Sequence, residues 1–134
     1  MDAVHACPCG SSQTYTDCCQ PLHLGLISAK TAVQLMRSRY AAYVFKRIDY
    51  LIETTHPDKR SPNLRREIDD WAAQVEFYRL EIIRTQQGQP TDKVGKVEFI
   101  AYYRRAGKEE QFREFSRFRI YRKDWVYLDG LIEQ

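Results

Sequence analysis

Apolar residues recur at helical spacing through Val33, Met36, Tyr40 and the pair Tyr43/Val44. Steps of three and four place them on one face of a helix over about 31–45. Thr31 and Gln34, in the order T-x-x-Q, supply a capping box to open it. A second, short helix is expected at about 48–54, through Tyr50, Leu51 and Ile52. It stops before His56-Pro57, because the residue preceding a proline is pushed out of the α region. Ser61-Pro62 opens a third helix, with serine as cap and proline in the first turn. Its buried stripe is Leu64, Ile68, Trp71 and Val75.

From residue 76 the period changes to two. Strands are expected at 76–84, 94–105, 112–122 and 125–128. The intervening turns are 86–91 with Gly88 and Pro90, Gly107-Lys108-Glu109, and Lys123-Asp124. Such short links imply an antiparallel meander. Three helices followed by four strands is an α+β layout, most economically packed as one curved four-stranded sheet wrapped over the helices.

Composition then narrows the class. The chain has 134 residues, 43% hydrophobic and 29% charged, which suits a globular domain with a core of its own. No apolar run approaches the ~18 residues of a membrane helix, and MDAVHACPCG lacks the basic start and apolar run of a secretory signal. A cytoplasmic location is expected. Net charge is only +3, but its distribution is uneven. Residues 1–25 hold Asp2 and Asp17 and no Lys or Arg; the remainder holds 21 Lys and Arg against 16 Asp and Glu. Two structurally distinct parts are therefore expected, 1–25 and 26–134.

All four cysteines fall in the first part, as Cys7, Cys9, Cys18 and Cys19. Two disulfides would leave more than 100 residues unstapled, and adjacent Cys18 and Cys19 do not readily bridge each other. No C-x-x-C sits in a βαβ setting for redox work, and the spacing is foreign to iron–sulfur sites. Two close pairs brought together by a reversing loop fit tetrahedral zinc better. Gly10 allows the positive φ that the reversal needs, and Tyr15 lies over the loop as its only large apolar body. Cys19 is the first choice for fourth ligand, with His23 or His5 as substitutes.

The spacing C-x-C-x8-C-C, with Pro8, Gly10-Ser11 and Tyr15, resembles the SEC-C motif, a short zinc module of the bacterial translocase ATPase and of many uncharacterised bacterial proteins. The resemblance implies that Cys7, Cys9, Cys18 and Cys19 ligate zinc. In the translocase the module is basic and contacts proteins; here SSQTYTD between the pairs has no lysine. The helix-then-sheet order resembles the nuclear-transport-factor-2-like, cystatin-related cone fold. Together with Arg39-Tyr40-Ala41-Ala42-Tyr43, Thr54-Thr55-His56-Pro57, Glu114-Phe115-Ser116-Arg117-Phe118 and Trp125 to Gly130, it makes the whole chain similar to the YchJ-type family, which has no established activity.

Function is read from three features. On the third strand Glu114 and Ser116 share a face with Phe112, Phe118 and Ile120, so they point inward, where a carboxylate must be paired or protonated. With His56 near the mouth of the cone, they form a candidate small-ligand site, and an enzyme would need Glu114 and His56 to converge. No nucleophile motif or phosphate loop supports catalysis. On the opposite face Arg113, Arg117 and Arg119 alternate with Phe115 and Tyr121, which suits single-stranded RNA or, equally, a solvated face of cross-strand ion pairs. The favoured expectation is a non-enzymatic adaptor. In it an acidic zinc knuckle is a separate recognition tab for a protein partner, and removing the metal leaves the cone folded.

Overall fold

The computed structural model describes residues 5–133. Asp2 and the rest of the extreme amino terminus lie outside the described residues. Helices α1 (Gln20–His23), α2 (Ala32–Phe45), α3 (Ile48–Glu53) and α4 (Leu64–Gln74) precede strands β1 (Glu76–Gln87), β2 (Val94–Arg105), β3 (Lys108–Tyr121) and β4 (Asp124–Glu133). One turn of 3-10 helix, Pro57–Lys59, follows α3. The sheet is a simple antiparallel meander in the order β1-β2-β3-β4. Register shifts in β1, and between Arg117 and Phe118 in β3–β4, bend it. The α+β cone is as expected.

The expected helices occur with adjusted ends. Thr31 caps α2, accepting from Gln34 N at 3.1 Å, while Gln34 Oε1 accepts from Lys30 N at 2.7 Å. The third expected helix begins at Leu64 after an Asn63 cap; Ser61-Pro62 forms the turn before it. α1 was not anticipated in the connector.

The stripe assigned to α2 is the largest difference. Val33, Tyr43 and Val44 are half-buried, whereas Leu35, Ala41 and Ala42 are fully buried. Helix α2 is covered on more than one side. The sheet and α3 pack on it from the body, with Leu35, Leu51, Val97, Phe118 and Trp125 in the common core. The cysteine loop packs on it through Ala41 and Phe45.

On the outer sheet face Glu98 is 4% exposed. It accepts from Arg84 Nε at 2.7 Å and Arg113 Nε at 2.6 Å. Arg113 first, with Arg84, holds its carboxyl below the usual carboxylate range. An unfolded Glu titrates near ~4.3, so this stabilisation is complete above that value and is lost as pH falls through the lower folded value. Acid unfolding should therefore steepen below about pH 4, and Glu98→Gln should flatten that limb. Identical acid limbs in urea melts of the two proteins would count against the pairing.

Candidate metal centre and cavity

The amino-terminal loop is closed by backbone bonds from Cys7 N to Gln13 O (2.7 Å) and from Tyr15 N to His5 O (3.2 Å). Gly10 takes φ +84, the reversal its lack of a side chain permits. Two cysteine pairs then meet: the four Sγ atoms lie within 4.8 Å of one another. Cys9 Sγ is 3.6 Å from Cys18 Sγ, and Cys18 Sγ is 3.8 Å from Cys19 Sγ. A tetrahedron of sulfurs at ~2.3 Å from a central zinc has edges of ~3.8 Å. All four cysteines are free, and Cys7, Cys9 and Cys19 are buried. Ser11 Oγ, 3.1 Å from Cys18 Sγ, supports the set from outside. The donor chemistry and spacing fit a closed, four-coordinate, thiophilic metal site.

Neither histidine joins it. Burial lowers the His23 pKa, keeping the ring neutral. Its Nδ1 is 2.7 Å from Tyr15 Oη and its Nε2 2.8 Å from the Ser38 carbonyl oxygen. With Nε2–H donating to that carbonyl, Nδ1 accepts from the phenol, so both nitrogens are committed. His5 is exposed and stands outside the sulfur cluster.

The cysteine loop touches the body at several points. Tyr15, 5% exposed, packs with Cys7, Cys9 and Cys19 as expected and also joins the loop to α2, its ring centroid 4.2 Å from that of Phe45. Leu22 of α1 belongs to the main core. Arg37 Nη1 donates to the Cys9 carbonyl oxygen at 2.5 Å. Part of the charge asymmetry is thus used within the chain: a basic residue of α2 meets the sulfur-rich loop. The knuckle is docked on the body through a shared helix.

Between the sheet and helices α2 and α4 lies a cavity of about 450 Å³. Its wall is mostly aromatic, including Tyr43, Trp71, Phe77, Tyr103, Phe112 and Tyr127. Glu114 and Ser116 line it, as their strand parity predicts. Glu114 Oε2 accepts from Ser116 Oγ and, at 3.1 Å, from Tyr127 Oη. Burial first, with Glu114 beside it, pushes the Tyr127 phenol up, so it stays a donor. Arg39, which strand and helix patterns left unassigned to the cavity, is buried in its wall. Its Nη1 donates to Leu51 O (2.9 Å), Thr54 Oγ1 (2.7 Å) and Thr55 Oγ1 (3.3 Å), and the guanidinium lies 4.5 Å from the Tyr127 ring centre. Its R-Y-A-A-Y setting on a helix was the available signal, since an arginine among apolar neighbours must be paired.

His56 is not in the cavity wall. Its ring packs on Tyr121 at 4.9 Å, and Nδ1 accepts from Asp58 N at 3.0 Å to cap the 3-10 turn. No hydrogen bond joins His56 to Glu114 among the described residues. The outer face is likewise ion-paired. Arg113 is bound to Glu98 and Arg117 is forked onto Asp129 with two bonds of 2.6 Å. Arg84 and Lys96 cover Phe115. Arg113, Arg117 and Phe115 are thus engaged with the protein itself, while Arg119 is exposed.

Gly130 explains how a carboxylate fits in this wall. It pairs with Ser116 across β3–β4, and an added Cβ would stand 2.6 Å from Glu114 Cδ. Gly130→Ala should force the carboxylate off its donors and cost about 1–3 kcal/mol in urea denaturation. A neutral effect would show that Glu114 can swing away freely.

A family model described as "YchJ, middle NTF2-like domain" matches residues 31–130, and the SEC-C motif matches residues 6–21. A UPF0225 protein of Geobacter sulfurreducens is 42% identical over 127 residues, covering 95% of this chain and 79% of the relative. A UPF0225 protein of Bordetella parapertussis is 42% identical, covering 93% of this chain and 91% of its own. Among solved structures, a SEC-C motif containing protein from Rhodopseudomonas palustris is 39% identical with a TM-score of 0.87, covering 96% of this chain and 98% of that one. One from Psychrobacter arcticus is 30% identical with a TM-score of 0.80, covering 98% and 85%. No helix of the described residues is long and apolar enough to cross a membrane.

Proposed function

The chain belongs to the family of the YchJ middle, NTF2-like domain, with a SEC-C motif ahead of it, and on that premise we propose that it is a zinc-containing binding protein without chemistry of its own. Cys7, Cys9, Cys18 and Cys19 are the ligands. The observation that carries this reading is the convergence of four sulfurs within 4.8 Å. Four thiolates suit zinc by softness and geometry, and they fill the tetrahedron, so no position is left for a substrate. The zinc is structural: it fixes the loop that packs on α2.

The cone binds through its cavity, where aromatic walls surround Arg39, Glu114 and Ser116. Four thiolates on a divalent ion leave a charge of about −2, to which Asp17 adds one more. That charge suits a protein partner with a basic surface, and association with one must weaken steeply with salt.

The test is elemental analysis of protein purified under reducing conditions, combined with thiol titration. One zinc per chain is expected, with the thiols reacting only after chelation. Iron in place of zinc, or thiols that react freely in metal-replete protein, would overturn the assignment.

A further inference from the structure

We propose that the cavity selects a planar, uncharged aromatic molecule of one or two rings that carries an N–H donor on its edge, with Glu114 as the acceptor. This rests on the reading of the cone as a ligand-binding body and names the chemistry of its ligand.

Size and wall chemistry set the body of the ligand. A volume of about 450 Å³ is at the small end for ligand sites, enough for one or two fused rings. Trp71 stands edge-on to Phe77, Tyr103 and Phe112, with interplanar angles of 70°, 71° and 60°. Further rings in such a wall gain offset and edge contacts as well as burial.

Polar groups set the edge. Both donors to Glu114 fall on Oε2, and Oε1 has no hydrogen-bond partner among the described residues. Nor is Oε1 among the sealed, unsatisfied atoms; that condition belongs to Tyr40 Oη alone among the described residues. Oε1 is therefore an accessible acceptor in a residue that lines the cavity, and a ligand donor completes it.

Charge sets the remaining condition. Arg39 is held by neutral acceptors on α3 and the residues after it, while its field reaches Glu114. The cavity thus holds one buried cation and one carboxylate. An anionic ligand meets Glu114 and a cationic one meets Arg39, each at close range in a medium that screens poorly. An uncharged ring avoids both repulsions and still finds the acceptor.

The experiment uses the full-length, metal-loaded protein, with indole and 1-methylindole as probes. They share a bicycle and differ in the N–H. Binding is followed by two-dimensional NMR, with the Trp71 side-chain N–H as reporter. Indole is expected to shift that signal saturably, and 1-methylindole to bind about tenfold or more weakly, the effect of one hydrogen bond to a charged acceptor. In Glu114→Gln, which keeps shape but removes charge, the gap should narrow to about threefold. Equal affinity of the two probes for the unmodified protein would overturn Glu114 as the selecting group while leaving the cavity a binding site. No saturable shift with either would overturn ligand binding by the cavity itself. Zinc content is measured on the same samples, so neither result bears on the metal assignment.

Discussion

Stripping the metal from the loaded protein is expected to lower its thermal midpoint by ~10 °C or more, and to unsettle helix α2 as well as the cysteine loop. The loop has no core of its own. Tyr15 of the loop and Leu22 of α1, which follows it directly, are 5% and 3% exposed, packed with Phe45 and in the main core respectively. Burying a side chain of that size is worth about 1.5–3 kcal/mol, so releasing both forfeits about 3–6 kcal/mol. For a chain of this length each kcal/mol moves the midpoint by about 3–5 °C. The Arg37 bond to the Cys9 carbonyl and the Tyr15–His23–Ser38 link would go with them. Melting with and without chelator, under reducing conditions, reads the midpoint; methyl NMR signals of Leu22 and Leu35 read the spread of the change. A midpoint and methyl spectrum untouched by chelation would support the independent tab.

The same contacts explain what could be read from the chain and what could not. Strand parity placed Glu114 and Ser116 inward correctly, because a side chain on a sheet with one buried face has only two directions. The cysteine spacing announced its cluster for a similar reason: donors so close in sequence need only one reversal, and Gly10 supplies it.

Helix α2 was less legible. Its sequence stripe captured one face, and nothing in a single sequence says that another segment will cover a second face with Ala41 and Phe45. The turns failed for want of their usual residues. The β3–β4 turn is Arg122-Lys123, with φ +49 and +77, one step earlier than Lys123-Asp124. Glycine or asparagine would have marked it. Another error ended β4 too soon. The expected strand stops at 128, yet Asp129 points out to Arg117 and Gly130 makes room for the Glu114 carboxylate within a strand that runs on to Glu133. His56 was assigned to the mouth of the cone because its sequence neighbours fix the end of a helix and say nothing of which way its ring turns. It caps a turn instead.

Arg39→Ala is expected to cost about 3–5 kcal/mol in urea denaturation, as much as truncating a large core side chain. Arg39 is 7% exposed. Three of its bonds hold the carboxyl end of α3 and the two threonines after it, at Leu51 O, Thr54 Oγ1 and Thr55 Oγ1. That segment is in turn tied to β4, by His56 N to Tyr127 O at 2.9 Å and Tyr127 N to Thr54 O at 2.7 Å. One guanidinium therefore joins α2, α3 and the Tyr127 wall of the cavity. Truncation removes the stem, leaves acceptors short of a donor, and takes a favourable positive charge away from the Glu114 carboxylate. Arg39→Met separates these contributions, because it keeps most of the stem volume and removes only the charge and the bonds. If polar bridging dominates, Met should be nearly as damaging as Ala, with hydrogen exchange of the α3 amides accelerated in both. If Met restores most of the stability, packing is what Arg39 supplies, and its role as the link between α3 and the cavity wall falls.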